Sequence, residues 1–220
     1  MRVLNIGSVN IDHVYRVDHF VRPGETLSSA RYDTFAGGKG FNQSIALVRA
    51  GASTRHAGSV GRDGAWLLDR LAGEGIDISQ ITTVEAPTGH AIIQVVPSGE
   101  NAIVLHRGAN AAVTPEAVAR ALSSCSAGDF LLVQNETSSV AEAIRAGRKH
   151  GLKVVFNPAP MSPAVLDYPL QDVDLLILNE TEAEGLTGER TPEAVRTVLQ
   201  ARLPGSAAVL TMGRDGAAYL

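Results

Sequence analysis

Residues 130–157 read FLLVQNETSSVAEAIRAGRKHGLKVVFN, and the fold turns on this stretch. Two short, continuously apolar runs, 130–134 and 153–157, flank a segment over 138–150 with helical character. Strands that carry apolar residues on both sides are buried on both faces, as in a parallel sheet. The same alternation continues outward. A helix is predicted over 115–124, where Thr114-Pro115-Glu116 supplies an N-cap followed by proline at the first helical position. A strand is predicted over 174–178, helices around 180–187 and 191–203, and a strand over 207–211. Strands alternating with helices predict an α/β domain, a mostly parallel sheet with helices on both faces.

The N-terminal half departs from that rhythm. A strand is expected from Val3 to Val9. Residues 13–35 read as extended pieces joined at a Pro23-Gly24 turn, with the second running from Thr26 to Phe35. A helix follows over 41–50, closed by Gly51, and another over 65–71. HAIIQVV and NAIVLH read as two strands around the Pro-Ser-Gly-Glu turn. The excursions at 12–35 and 90–107 therefore form a small β appendage within one α/β domain spanning 1–220. Ala217 to Leu220 begins another strand, so the domain is expected to be C-terminally incomplete.

Composition removes several classes of function. Of 220 residues, 45% are hydrophobic and 19% charged, and the net charge is −4 without a basic stripe. Neither charge attraction nor the sparse aromatics suit nucleic acid. No apolar run approaches the ~18 residues of a membrane span. The single cysteine, Cys125, allows no intrachain disulfide, in keeping with a cytoplasmic protein.

FAGGKGFNQSIALVRAG, residues 35–51, has the look of a phosphate loop but fails the test for one. A Walker A loop needs glycine five before Gly38 and Ser or Thr after Lys39; Asp33 and Gly40 stand there instead. No G-x-G-x-x-G register fits either. What remains is a set of glycines that permit close backbone approach, a helix start whose N–H groups can meet a ligand, and the Asn42 amide in the first turn.

Other candidates sit at expected strand ends, where ligands bind in open α/β sheets. Asn10 and Asp12 point to one side and can grip vicinal hydroxyls, or simply turn the chain. Glu136, in Gln134-Asn135-Glu136, is a hydroxyl acceptor or a helix-start residue. Asn179-Glu180-Thr181-Glu182 either caps a helix or holds Mg²⁺ through water. Thr211 to Gly216 is a strand followed by a glycine turn. Ser126-Ala127-Gly128-Asp129 imitates an anion loop with an aspartate, yet it precedes a strand and lies at the wrong edge. The six histidines lack metal-ligand spacing, and no G-x-S-x-G elbow occurs.

In order and spacing, GSVNID, PGET, GGKGFNQ, GSVGRDG, GAN, NPAP, NETEAEGLTG and TMGRDG together resemble the ribokinase family of sugar kinases, the PfkB carbohydrate kinases. The resemblance spans essentially the whole chain. It implies a ribokinase-like three-layer α/β/α fold with a β lid, and an ATP-dependent kinase that converts D-ribose to D-ribose 5-phosphate. Other acceptors within the class are a ketohexose or a nucleoside; outside it stands a non-catalytic sugar-binding relative. Carried over, Asn10, Asp12, Gly38, Lys39, Gly40, Asn42 and Glu136 would bind the sugar. Asn179, Thr211, Gly213, Arg214, Asp215 and Gly216 would bind ATP, and Glu182 would reach Mg²⁺ through water. The lid would also form a homodimer contact. The family's G-A-G-D loop, with its catalytic aspartate and a neighbouring K⁺ loop, would lie beyond Leu220, so residues 1–220 alone are expected to be inactive. Phe41 stands where the family commonly has alanine.

Overall fold

The computed structural model describes residues 1–220, arranged as two sheets with helices. The main sheet holds eight strands. In chain order they are β1 (Arg2–Ile6), β4 (Ser53–Gly61), β5 (Asp77–Val84), β8 (Phe130–Gln134), β9 (Lys153–Asn157), β10 (Leu175–Asn179), β11 (Ala207–Thr211) and β12 (Ala217–Tyr219). Their spatial order is β12-β11-β10-β9-β8-β1-β4-β5. Every pair is parallel except β11 with β12. The second sheet, order β3-β2-β6-β7, is built from β2 (Asn10–Arg16), β3 (Arg31–Gly37), β6 (Gly89–Val95) and β7 (Asn101–His106).

The alternation of the C-terminal half explains the core. Leu131, Val133, Val154, Phe156, Leu176, Leu178, Ala208 and Leu210 point to one face. There they meet α3 (Pro115–Leu122), α4 (Val140–Lys149), α5 (Glu180–Thr187) and α6 (Pro192–Arg202) in a 26-residue cluster. The intervening Leu132 and Val155 point to the opposite face, with Val3, Ala52 and partly buried Leu47 of α1 (Lys39–Arg49). A third cluster joins α1 and α2 (Ala65–Gly73) to β4, with Phe41 at its centre, 1% exposed against Ile45, Leu67 and Leu71. Phe41 is thus core packing. No helix is long and apolar enough to cross a membrane.

Four sequence expectations are corrected. β1 stops at Ile6 instead of running to Val9, because Gly7 to Val9 leaves the main sheet and crosses to the small one. Asn10 and Asp12 accordingly open β2 and do not end the first strand. The second extended piece starts at Arg31, not Thr26; residues 17–30 form a connection around Gly24, which has φ 78°. Strands β4 and β5 had no counterpart in the expectation. In β4 the buried positions include His56 and Ser59, so apolar alternation is masked, and β5 is a half-exposed edge.

Candidate active site

Chain connectivity reverses direction at β1. The chain proceeds to β4 and β5 on one side, and from β8 outward on the other. The carboxyl ends of β1 and β8 therefore border a topological switch point, where open α/β sheets bind ligands. The segment Gly7–Val9, the start of α1 and Glu136 all converge there.

The start of α1 is packed, not open. Gly38 has φ 94°, and a Cβ at Gly40 would stand 2.5 Å from Gly7 Cα. These glycines bring backbone against backbone, whereas the sequence suggested backbone against ligand. The helix-start N–H groups are likewise taken. Lys39 N donates to Glu136 Oε2 at 3.0 Å, Gly40 N to Ser8 Oγ at 3.2 Å, and Phe41 N to Ser8 O at 2.9 Å. Ser8 Oγ in turn donates to Glu136 Oε2. A buried carboxylate of the chain itself thus fills the place where a phosphate would bind. Lys39 Nζ lies 3.4 Å from Glu136 Oε1, its side chain 39% exposed against 7% for Glu136.

In front of this junction opens a cavity of about 340 Å³. Asn10, Asp12, Gly38, Lys39, Asn42 and Glu136 line one side, and Ala91, Ile93, Ile103 and Leu105 of β6 and β7 line another. The structure thus brings together six of the seven residues nominated as sugar ligands. Gly40 is the exception: buried, it faces Gly7 and accepts from Asn5 Nδ2 through its carbonyl at 2.8 Å. Asn110 was missed as a site residue, although it ends the Gly-Ala-Asn motif. Its Nδ2 donates to Asn10 Oδ1 at 2.7 Å and its Oδ1 accepts from Val9 N at 3.0 Å, which fixes the Asn10 side chain. The aliphatic wall was also missed, because strand alternation alone does not tell which face of a small sheet overlooks a site.

Charge is crowded here. Burial pushes the Asp12 carboxyl above the usual range, the nearby Glu136 pushes it further, and Lys39 partly offsets both. Behind the site lies a neutral histidine. His56 Nε2 donates to Gly7 O at 3.1 Å, since a carbonyl can only accept; its Nδ1 therefore accepts from Ser44 Oγ at 2.8 Å. Complete burial lowers its pKa to about 4.

The nucleotide candidates lie further along the same edge. Asn179 and Thr211 are register partners at the ends of β10 and β11. Asn179 caps α5 in a capping box with Glu182: its Oδ1 accepts from Glu182 N at 2.8 Å, while Glu182 Oε2 accepts from Asn179 N at 2.9 Å. Glu182 also accepts from Asn179 Nδ2 and Asn157 Nδ2. Gly213, Arg214, Asp215 and Gly216 form an exposed turn after Thr211. No group of three or more His, Cys, Asp or Glu can hold a metal ion. With both its carboxylate oxygens accepting hydrogen bonds, Glu182 would meet a magnesium ion through water rather than directly. Asp129, the decoy, accepts from Ser126 N and Arg2 Nε at the opposite edge of the sheet, in the turn expected for it.

Residues 2–220 match the model of the family described as pfkB family carbohydrate kinase. A ribokinase of Haemophilus influenzae is 43% identical over 188 residues, 83% of this chain and 61% of the relative. The chain therefore spans about three fifths of that relative's length. The structure of a ribokinase from Cryptococcus neoformans var. grubii in complex with ADP is 34% identical, with TM-score 0.80, covering 100% of this chain and 75% of that one. A ribokinase of Arabidopsis thaliana, solved with ribose and ATP, is 26% identical, with TM-score 0.83, covering 99% of this chain and 74% of that one.

Proposed function

The chain belongs to the pfkB family of carbohydrate kinases, and from that premise we propose that it is the larger part of an ATP-dependent kinase that phosphorylates D-ribose to D-ribose 5-phosphate. The observation that carries the reading is the crevice at the switch point. It sets two amides, two carboxylates and a lysine around a cavity with an aliphatic wall. Carboxylates and amides grip vicinal hydroxyls, and the wall suits the carbon face of a sugar. A nucleoside acceptor is disfavoured, since no aromatic side chain lines the cavity on which a base would stack. The Arabidopsis relative, solved with ribose and ATP, supports the same pairing of ligands.

In this reading Asp12 and Asn10 take sugar hydroxyls, Asn42 reaches the sugar from the first turn of α1, and Glu136 closes the pocket from the β8 side. Lys39 partly offsets the charge of the paired carboxylates. Asn179 and Thr211 take the nucleotide at β10 and β11, three and four strand spacings, or roughly 14 and 19 Å, from β1. A nucleotide lying along the strand ends would point its phosphates toward the crevice. Magnesium, held through water by Glu182, would supply charge compensation for the phosphates. No residue of 1–220 is assigned as the proton acceptor, and none to a monovalent cation.

The small sheet is assigned as a lid over the sugar and, through its outer face, as the contact with a second copy of the chain. Strand alternation turns Asp12, Ala91, Ile93, Ile103 and Leu105 toward the cavity, so Ile92 and Val104 face away. These are 43% and 67% exposed, an apolar outer surface that a partner sheet would cover. A cytoplasmic setting is part of the same proposal, in keeping with a single cysteine that allows no intrachain disulfide.

The test is sugar-dependent ADP release by the complete gene product on a panel of pentoses, ketohexoses and nucleosides. D-Ribose is expected to give the highest kcat/KM. Release with another acceptor and none with D-ribose would overturn the assignment.

A further inference from the structure

A line of amides connects the start of α1 to the nucleotide end, and from Gln134 to Glu182 each link donates onward. Gln134 Nε2 donates to Gln43 Oε1 at 2.7 Å. Gln43 Nε2 donates to Asn157 Oδ1 at 3.2 Å. Asn157 Nδ2 donates to Glu182 Oε2 at 3.3 Å, and Glu182 is tied to Asn179 by the capping box. At its other end, Gln134 Nε2 also donates to Asn5 Oδ1 at 2.9 Å, and Asn5 Nδ2 holds Gly40 O and Ser44 Oγ of α1. Gln134, Asn157 and Asn5 are buried. Amides aligned head to tail polarise one another, and the chain ends on a carboxylate, which reinforces every donor before it. Gln43 is the one member that belongs to α1 and touches the nucleotide side.

We propose that Gln43 is a positioning residue that couples the two substrates. It stands one residue after Asn42, faces away from the cavity and ties the sugar-bearing helix to the Asn157–Glu182–Asn179 cluster. When nucleotide fixes Asn179 and Glu182, the relay holds α1 in its sugar-binding position. By linkage, sugar tightens nucleotide by the same factor. The inference rests on the sugar and nucleotide assignments above.

The test is calorimetric titration of the complete gene product with D-ribose, with a non-hydrolysable ATP analogue plus Mg²⁺, and with ribose in saturating analogue. The wild type is expected to bind ribose ~5-fold or more tightly with nucleotide present. Gln43→Met, which keeps side-chain length and removes both hydrogen bonds, is expected to bind each ligand alone within about 2-fold of wild type and to bring the coupling factor close to one. Should Gln43→Met fold poorly, Gln43→Glu takes the same measurement, since it retains the acceptor toward Gln134 and loses the N–H toward Asn157. Coupling that persists in the variant overturns the inference and leaves the kinase reading standing. So does an equal weakening of ribose with and without nucleotide, the mark of a purely structural role. Wild-type protein that binds both ligands without coupling overturns the inference too. Wild-type protein that binds neither ligand overturns the kinase reading, and the inference with it.

Discussion

Asp12 sits where its charge is disfavoured. Burial and the facing Glu136 both raise its carboxyl pKa, so its charge opposes folding near neutral pH. Because the folded-state value lies above the unfolded one, this destabilisation is relieved as pH falls through the raised value. Asp12→Asn is therefore expected to raise the thermal midpoint at pH 7 and to weaken ribose by ~10-fold or more, the loss of a charge-assisted hydrogen bond. Calorimetry and ribose titration of the same preparation check both. Wild-type ribose affinity is expected to decline on acidification at a higher pH than an ordinary aspartate would impose. His56 has the opposite linkage. Its folded-state pKa of about 4 lies below the ordinary 6.5, so stability is intact above 6.5 and is lost as pH falls toward 4. At ~1.4 kcal/mol per pH unit, this amounts to roughly 3 kcal/mol by pH 4. His56→Gln is expected to flatten the stability profile in that interval, measured by urea titration at successive pH values.

Among the elements, α1 and α5 carry the candidate site, and each start is built differently. At α1 the donors are consumed by Ser8 and Glu136, and the close approach of Gly40 to Gly7 leaves no room for a side chain. Gly40→Ala is expected to cost ~1–3 kcal/mol through a clash with backbone, with ribose affinity falling alongside; denaturant unfolding and ribose titration report the two. At α5 the capping box is intact, and Asn179→Ala is expected to cost ~1 kcal/mol of stability and to weaken nucleotide selectively. The sequence carried much of this. The apolar runs LLV, VVF and LLIL announced buried parallel strands, and each C-terminal element falls within a few residues of its expected limits. Strand β4 was illegible because its buried residues include polar His56 and Ser59, and His56 is held by Ser44 and the Gly7 carbonyl instead of packing in an apolar core. The nature of the Gly38–Asn42 loop was half legible. Asp33 and Gly40 excluded a Walker loop, but the carboxylate that occupies the helix start comes from Glu136, 97 residues away from Lys39. No local pattern announces such a partner, and the amide relay through Gln43, Gln134 and Asn157 escaped the sequence for the same reason.

On the scale of the whole molecule, the two sheets divide the work. The eight-stranded sheet gathers the strand ends that carry the candidate ligand residues along one edge, and the four-stranded sheet supplies the aliphatic wall and the exposed apolar outer face. If that outer face meets a second copy, Val104→Glu is expected to convert a dimer to a monomer in sedimentation velocity, and a wild-type protein that sediments as a monomer removes the assignment. The most direct test of the central claim is the product itself. ³¹P NMR of a reaction holding the complete gene product, ATP, Mg²⁺ and D-ribose is expected to show one new phosphate monoester, on the C5 hydroxyl, growing in step with ADP. A spectrum that gains only inorganic phosphate, or no sugar ester while ATP persists, would contradict the account.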